Sequence, residues 1–552
     1  MDMDSRFLPV ETPEARPREQ FTDAASAVER LCQLYQEATD FLTRNFSALT
    51  DGSTPKARFR ACYPELRLTV ASHTKVDSRL SFGHVTDPGS YAATITRPDL
   101  FRNYLEEQIA LLIRNHGVPV TVGLSETPMP VHFAVATRPD LAVPQEGVLD
   151  FSLRDVFDVP DLNTMNDDIV NGVAGPQPDG TQYLSAFTAQ RIDYSLARLQ
   201  HYTATAAEHF QNFVLFTNYQ FYVDEFEAFA RSVLADPDSG YTAFVAPGNQ
   251  EITDADAPLT TLPKMPQMPT YHLKREHGQG ITLVNIGVGP SNAKTATDHI
   301  AVLRPHAWLM VGHCAGLRNS QSLGDFVLAH AYLREDHVLD DDLPVWVPIP
   351  ALAEVQVALQ EAVAEVTRLE GYELKRIMRT GTVATIDNRN WELRDQSGPV
   401  HRLSLSRAVA LDMESAAIVA VAGRGAGHGK RDDRRERFPV PRALWHPAMR
   451  QRQTPARRVE AARHGHRFLS HPGRQPPADR DPGDGKTAGN AVGTHPFPQI
   501  ALVQRDRIPV TARQIGPRNA GFPVFREKGL ICPSKACVAG DMPQKALIIG
   551  PR

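Results

Sequence analysis

The stretch from Ile281 to Asp325 constrains the chain more than any other. It opens with Ile281-Thr282-Leu283-Val284-Asn285-Ile286, an apolar, β-branched run that reads as a buried parallel strand. Gly287-Val288-Gly289-Pro290-Ser291-Asn292 follows at once, and Ala293 to Ile300 has helical character. A strand that ends in a glycine-rich turn and feeds a helix presents free backbone N–H groups, a seat for an anion. The pattern then repeats. Trp308-Leu309-Met310-Val311 reads as a short strand, and Gly312-His313-Cys314-Ala315-Gly316-Leu317 as its glycine-bearing turn. Two such turns are expected side by side at the C-terminal edge of one sheet, where α/β folds bind ligands. Glycine turns also join strands to helices in α/β proteins that bind nothing there.

Around this stretch the chain divides into parts of different character. Residues 1–24 are polar, carry Pro9, Pro13 and Pro17, and read as a flexible lead-in. Residues 25–184 read as an α+β domain. Val28, Leu31, Leu34, Tyr35, Ala38, Phe41 and Leu42 form the stripe of an amphipathic helix. Strands are expected at 66–70 and 91–96, a helix opening at Pro98, and further strands over 117–135. Residues 185–422 alternate strand-like runs (213–216, 242–245, 326–332, 381–385, 408–412) with helical ones (222–234, 351–370). That alternation predicts a mostly parallel sheet with helices on both sides.

Composition separates the rest. Of 552 residues 42% are apolar, enough for a packed core, and no run approaches the ~20 apolar residues of a membrane span. The N-terminus lacks an apolar signal core, and the five cysteines are scattered with no CxxC pair, so a reducing, cytoplasmic setting without a zinc site is expected. The net charge of −5 hides an asymmetry: from Gly423 onward 25 Lys and Arg face 10 Asp and Glu. Pro and Gly make up 31 of those 130 residues, and Arg another 20. The segment 423–552 is therefore expected to be disordered or to represent an out-of-frame reading of a GC-rich gene. A basic nucleic-acid-binding extension is the alternative, disfavoured because aromatic interleaving and repeats are missing.

Leu411-Asp412-Met413-Glu414-Ser415-Ala416 places a carboxylate where a strand meets a helix. Glu414 there could accept hydrogen bonds from a vicinal diol such as the 2′- and 3′-hydroxyls of ribose, with Met413 offering an apolar surface to the sugar. An acid favoured by the dipole at a helix N-terminus has the same local appearance.

Asp412-Met413-Glu414-Ser415-Ala416, with Val311-Gly312-His313-Cys314-Ala315-Gly316, resembles the nucleoside phosphorylase/nucleosidase superfamily. Within it the chain is similar to the bacterial AMP nucleosidase family. The likeness extends to Ile286 through Thr295, His330-Ala331-Tyr332-Leu333-Arg334, Thr380-Gly381-Thr382-Val383, Asp387 through Glu392, Thr94 through Arg102, and Phe216-Thr217-Asn218-Tyr219. It covers residues 25–422. The resemblance implies a nucleoside-phosphorylase-like α/β domain behind an α+β N-terminal domain. It also implies hydrolysis of AMP to adenine and ribose 5-phosphate, no cofactor or metal, a homo-oligomer, and phosphate as a regulator. Glu414 matches the family's ribose-binding Glu and Met413 its sugar-packing Met. Gly287, Gly289, Ser291 and Asn292 match the loop facing the anion or nucleophile side of the sugar. Gly312 and His313 lie where phosphorylases bind phosphate, His313 replacing a Ser and Met310 an Arg. That loss of a cation favours water as nucleophile. Arg97, Arg102 and Arg318 are candidates for the 5′-phosphate of AMP, since a guanidinium grips phosphate with two parallel bonds. One departure stands out: no apolar strand ending in Ser-Asp follows the Glu414 helix, so the family's base-protonating Asp, whose general-acid help is worth ~10²–10⁴-fold, has no counterpart.

Overall fold

The computed structural model of the chain describes residues 8–73, 83–85, 87–136, 152–393, 395, 397–424 and 544–549. Residues 19–183 contain a five-stranded sheet in the order β1-β4-β2-β3-β5, where β1 is Glu19–Phe21, β2 Cys62–Val70, β3 Gly89–Thr94, β4 Val120–Pro128 and β5 Gln182–Tyr183. The predicted amphipathic helix is α1, Ala24–Thr50, capped by Asp23, whose carboxylate accepts the Ser26 N–H at 2.8 Å. Its apolar stripe packs on the sheet beside α2, Arg102–His116. The helix expected from Pro98 begins only at Arg102; residues 98–101 form a turn in which the Phe101 N–H donates to the Arg97 carbonyl at 3.1 Å. Strand also gives out earlier than 135: β4 stops at Pro128 and Val131–Val135 is a helical turn.

Helix α3, Ala189–Thr203, leads into a second sheet of eleven strands among the described residues. Its strands are β6 (Phe213–Thr217), β7 (Tyr241–Ala246), β8 (Gln250–Ile252), β9 (Thr270–Arg275), β10 (Ile281–Asn285), β11 (Ala307–Gly316), β12 (Phe326–Glu335), β13 (Ile349–Pro350), β14 (Met378–Ile386), β15 (Ala408–Asp412) and β16 (Gln544–Ile549). The order is β8-β7-β9-β10-β6-β11-β15-β14-β12-β13, and β16 lies against both β11 and β12. The sheet is mixed rather than mostly parallel. β10-β6-β11 and β15-β14-β12 are parallel, while β8-β7-β9-β10 is antiparallel and β11 meets β15 antiparallel. Connection length explains this. Parallel partners need a crossover, supplied by α4 (Gln220–Leu234), α5 (Pro290–Ile300) and α6 (Ala353–Thr367), whereas β9 and β10 are joined by a short hairpin. That hairpin is tight at Gly280, where a Cβ would lie 2.1 Å from the Leu273 carbonyl oxygen.

Helices cover both faces of this sheet. α5 and α7 (Ser415–Arg424) bury one face with Val284, Met310, Val383 and Ile418, and α4 and α6 bury the other with Phe226, Phe244, Leu309 and Leu359. The expectation of a disordered or out-of-frame tail falls outside the described residues except at Gly423, Arg424 and 544–549. Those last six residues form β16, which is followed in the sequence by Gly550-Pro551-Arg552 and not by Ser-Asp. The backbone of β16 fills the gap that β11 leaves by reaching β15 only at Ala315 and Gly316.

Candidate active site

The loop between β10 and α5 forms as its glycines dictate. Gly287 (φ 67°) and Gly289 (φ 115°) occupy conformations that L side chains rarely adopt, and Pro290 starts the helix with a preset φ. Asn285 Oδ1 accepts the Gly287 N–H at 3.2 Å, and Asn292 Nδ2 donates to the Val288 carbonyl at 3.3 Å. These bonds hold the turn open, with the Gly289 N–H directed away from the loop. Ser291 is exposed on the first turn of α5.

The Gly289 N–H points at Glu414. It donates to Oε1 at 2.7 Å, while Asn218 Nδ2 donates to Oε2 at 3.0 Å. Glu414 is only 1% exposed, and burial, with Asp412 as a second negative neighbour, pushes its carboxyl up to about 7. The helix-cap role belongs to Asp412 instead: its Oδ2 accepts the Ser415 N–H at 2.9 Å and its Oδ1 the Thr385 hydroxyl at 2.5 Å. Thr385 Oγ1 in turn accepts the Ala416 N–H at 2.9 Å. Of the two readings of the acid at this junction, the cap is Asp412, which leaves Glu414 as a carboxylate held by two donors from the loops that follow β6 and β10. Met413, between them, is half-buried.

The second glycine segment is not a turn. Gly312 to Gly316 continues β11, because the strand must run on to reach Leu411 and Ala410 of β15. Gly312 serves close approach: a Cβ there would stand 3.0 Å from Met310 Cε and 3.3 Å from Asn218 Oδ1. Asn218 Oδ1 itself is buried without a hydrogen-bond partner among the described residues, next to the carboxylate its amide nitrogen supports. His313 stands edge-on to Tyr219 at 4.5 Å, with Tyr222 at 5.6 Å. The chain thus brings Gly289, Glu414, Asn218 and Gly312 together. The sequence pointed to three of these and left Asn218 without a role, although an amide following the apolar strand Phe213–Thr217 was the available signal.

The three arginines have different fates. Arg97 is paired with Asp99 at 3.1 Å and Glu208 at 2.6 Å. Arg102 is paired with Glu29 at 3.0 Å and Glu106 at 3.6 Å. Neither bonds to any member of the Glu414 cluster. Arg318, just past β11, is half-buried, and its guanidinium has no hydrogen-bond or ion-pair partner among the described residues. Among those residues no group of three or more His, Cys, Asp or Glu could hold a metal ion. Asp336, past the end of β12, is 3% exposed, and burial first and foremost pushes it up to about 6.

Comparison with known proteins follows the same division of the chain. Residues 26–181 match the family model described as bacterial AMP nucleoside phosphorylase N-terminus, and residues 249–425 match the phosphorylase superfamily. AMP nucleosidases of Escherichia coli strains K12 and O157:H7 are each 47% identical to the chain over 409 residues, covering 72% of it and 83% of the relative. Among solved structures, an AMP nucleosidase from Bacteroides thetaiotaomicron aligns at 24% identity over 43% of this chain and 85% of that one, with a TM-score of 0.33. A uridine phosphorylase from Vibrio fischeri aligns at 13% identity over 42% and 81%, with a TM-score of 0.31.

Proposed function

The chain belongs to the bacterial AMP nucleosidase family, with the phosphorylase-superfamily fold, and from that membership we infer that it hydrolyses the N-glycosidic bond of AMP to adenine and ribose 5-phosphate. The observation that carries the chemistry is the buried Glu414 carboxylate, fixed by the Gly289 N–H and the Asn218 amide. Ionised, it accepts the 2′- and 3′-hydroxyls of ribose, orienting the sugar and placing negative charge beside the oxocarbenium-like centre that forms as adenine leaves. Asn218 Oδ1 is a further acceptor for a sugar hydroxyl. Met413 packs on the sugar face. The positions where a phosphorylase binds phosphate hold Met310, buried and uncharged, and His313, which supports water as the attacking group. Arg318 is the favoured cation for the 5′-phosphate, because Arg97 and Arg102 are already neutralised by carboxylates.

Assembly and regulation belong to the same reading. A homo-oligomer is supported by Trp346 (82% exposed), Tyr372 (77%) and Leu393 (84%), large side chains that a monomer leaves in water. Phosphate is the regulator, recognised by the same cationic features as the substrate's phosphate. No helix among the described residues is long and apolar enough to cross a membrane, and a cytoplasmic location fits the described cysteines Cys32, Cys62 and Cys314, none of which is in a disulfide. The test is adenine release by purified full-length protein from AMP and from adenosine, with and without phosphate. AMP cleavage that does not require phosphate supports the reading; phosphate-dependent cleavage of adenosine in preference to AMP overturns it.

A further inference from the structure

The edge of the sheet that carries Glu414 holds a second buried carboxylate, Asp336. Strand register puts it there. Glu335, the last residue of β12, pairs with Ile386 of β14, and Thr385 of β14 pairs with Asp412 of β15, all three strands running parallel. Neighbouring strands lie ~4.8 Å apart, so Asp336 stands about 10 Å along this edge from Asp412. It also shares a face with Asp412. Tyr332, Val383 and Ala410 belong to the core under α5 and α7, and Asp336 and Asp412 follow Tyr332 and Ala410 at the even spacing that keeps strand side chains on one side. The segment beyond is tied to both helices of the site: Leu339 and Leu343 share that core with Ala416 and Ala417, and Lys294 of α5 lies 3.8 Å from Asp342.

Asp336 Oδ1 accepts the Val338 N–H at 3.3 Å, but its buried Oδ2 has no hydrogen-bond partner among the described residues. Arg334, two residues earlier on the same side, donates from Nη2 to the Leu343 carbonyl at 2.5 Å and leaves its buried Nε and Nη1 without partners there. Burial and the charges of Asp412 and Asp340 hold Asp336 up against the pull of Arg334, to about 6, so at pH 7.5 it is mostly ionised and can only accept hydrogen bonds. A buried acceptor and a buried donor left unmet side by side are costly unless a ligand pairs with both.

We propose that Asp336 reads the purine base, its Oδ2 accepting from the 6-amino group of adenine while Arg334 donates to the adjacent ring nitrogen N7. This rests on the AMP reading for its substrate, with Glu414 holding the ribose diol at the other end of the same edge. The edge of adenine formed by the 6-amino group and N7 offers one donor and one acceptor, which complements a carboxylate beside a guanidinium. Hypoxanthine presents two acceptors, O6 and N7, and sets an oxygen against Asp336. A site whose buried polar groups are left unpaired by the wrong substrate discriminates far more strongly than apolar fit does.

The experiment compares kcat/KM for AMP and IMP, and equilibrium binding of adenine and hypoxanthine, in full-length protein. The unmodified protein is expected to prefer AMP about a hundredfold or more. Asp336→Asn, whose amide can turn an N–H toward O6, is expected to slow AMP and quicken IMP, cutting that preference at least tenfold. Should Asp336→Asn fail to fold, Asp336→Ser is expected to bring the two rates to within tenfold by loss on AMP alone. Equal loss on both nucleotides means a structural role and overturns the assignment, as does equal affinity of the unmodified protein for adenine and hypoxanthine. If no adenine is released from AMP yet adenine binds at least tenfold tighter than hypoxanthine, and Asp336→Asn or Asp336→Ser removes that preference, the AMP reading fails and the role of Asp336 stands.

Discussion

Replacing Asn218 by Ala tests the carboxylate's support directly. Glu414 receives two hydrogen bonds, from Gly289 N–H at 2.7 Å and Asn218 Nδ2 at 3.0 Å. Both favour its charged form against burial and against Asp412, which together hold it at about 7. A hydrogen bond to a charged group contributes about 1.5–3 kcal/mol, and 1.36 kcal/mol corresponds to one pKa unit, so losing the amide should raise Glu414 by roughly 1–2 units. At pH 7.5 the ionised fraction would fall from roughly three-quarters to about a tenth. The assay is kcat/KM for AMP from adenine release between about pH 5.5 and 9.5, which reports ionisations of the free enzyme. The rising limb of the profile should move to higher pH by that amount, and activity should recover to within a few fold at the alkaline end. An unchanged midpoint would refute the role of Asn218, and so would a loss of the same size at every pH.

Other expectations follow from the same geometry. Glu414→Gln keeps the side chain's size but cannot ionise, so kcat/KM should fall roughly 10²–10³-fold, in the range of losing one preorganised electrostatic contact, and the rising limb should vanish. The carboxyl is raised in the folded state, so its contribution to stability is fully present below its ordinary value near 4.5 and is lost as pH climbs through about 7. The melting temperature of the unliganded protein should therefore decline across that window, and less so in Glu414→Gln. Arg318→Ala should raise KM for AMP tenfold or more with little change in melting temperature. Arg97→Ala should do the reverse, lowering the melting temperature by unpairing Asp99 and Glu208 while leaving KM alone. Gly280→Ala should destabilise by several kcal/mol in a denaturant melt, since its Cβ would meet backbone rather than a movable side chain.

Legibility followed the range of the interaction that decides each element. The spacing of Val28, Leu31, Leu34 and Tyr35 gives α1, because an amphipathic stripe is local information. The loop Gly287 to Asn292 and the acid at 414 were readable for the same reason, since positive φ and a strand-to-helix junction leave marks in sequence. What escaped depends on distant partners. β9 was missed because its reason to be a strand is the pairing of Tyr271 with Leu283 and Leu273 with Phe244. Gly312 looked like a turn residue, when it sits within the strand β11 with Met310 and Asn218, the latter almost a hundred residues earlier, packed against it. Arg97 and Arg102 looked available to a phosphate because nothing local showed that Glu208 and Glu29 would reach them.

The same long-range logic explains why a glycosidase domain of this kind is carried behind an α+β domain. Helix α5 is the only connection between the Gly289 loop and β11, and its position sets where the Gly289 N–H meets Glu414. Its last turn is fixed from the N-terminal side: His299 Nδ1 is 3.0 Å from Ser195 Oγ of α3, and the ring stacks on Tyr202. Burial lowers His299 to about 4, so through the neutral range the contact stays between uncharged groups. Beyond the helix, Val302 enters the core of the five-stranded sheet and Arg304 stacks on α2. A backbone donor at 2.7 Å from a carboxylate tolerates little drift, since hydrogen bonds weaken steeply with misalignment. Anchoring α5 at its far end to a separate core gives that donor a fixed origin, and it couples any change in packing around α2 to the Glu414 carboxylate.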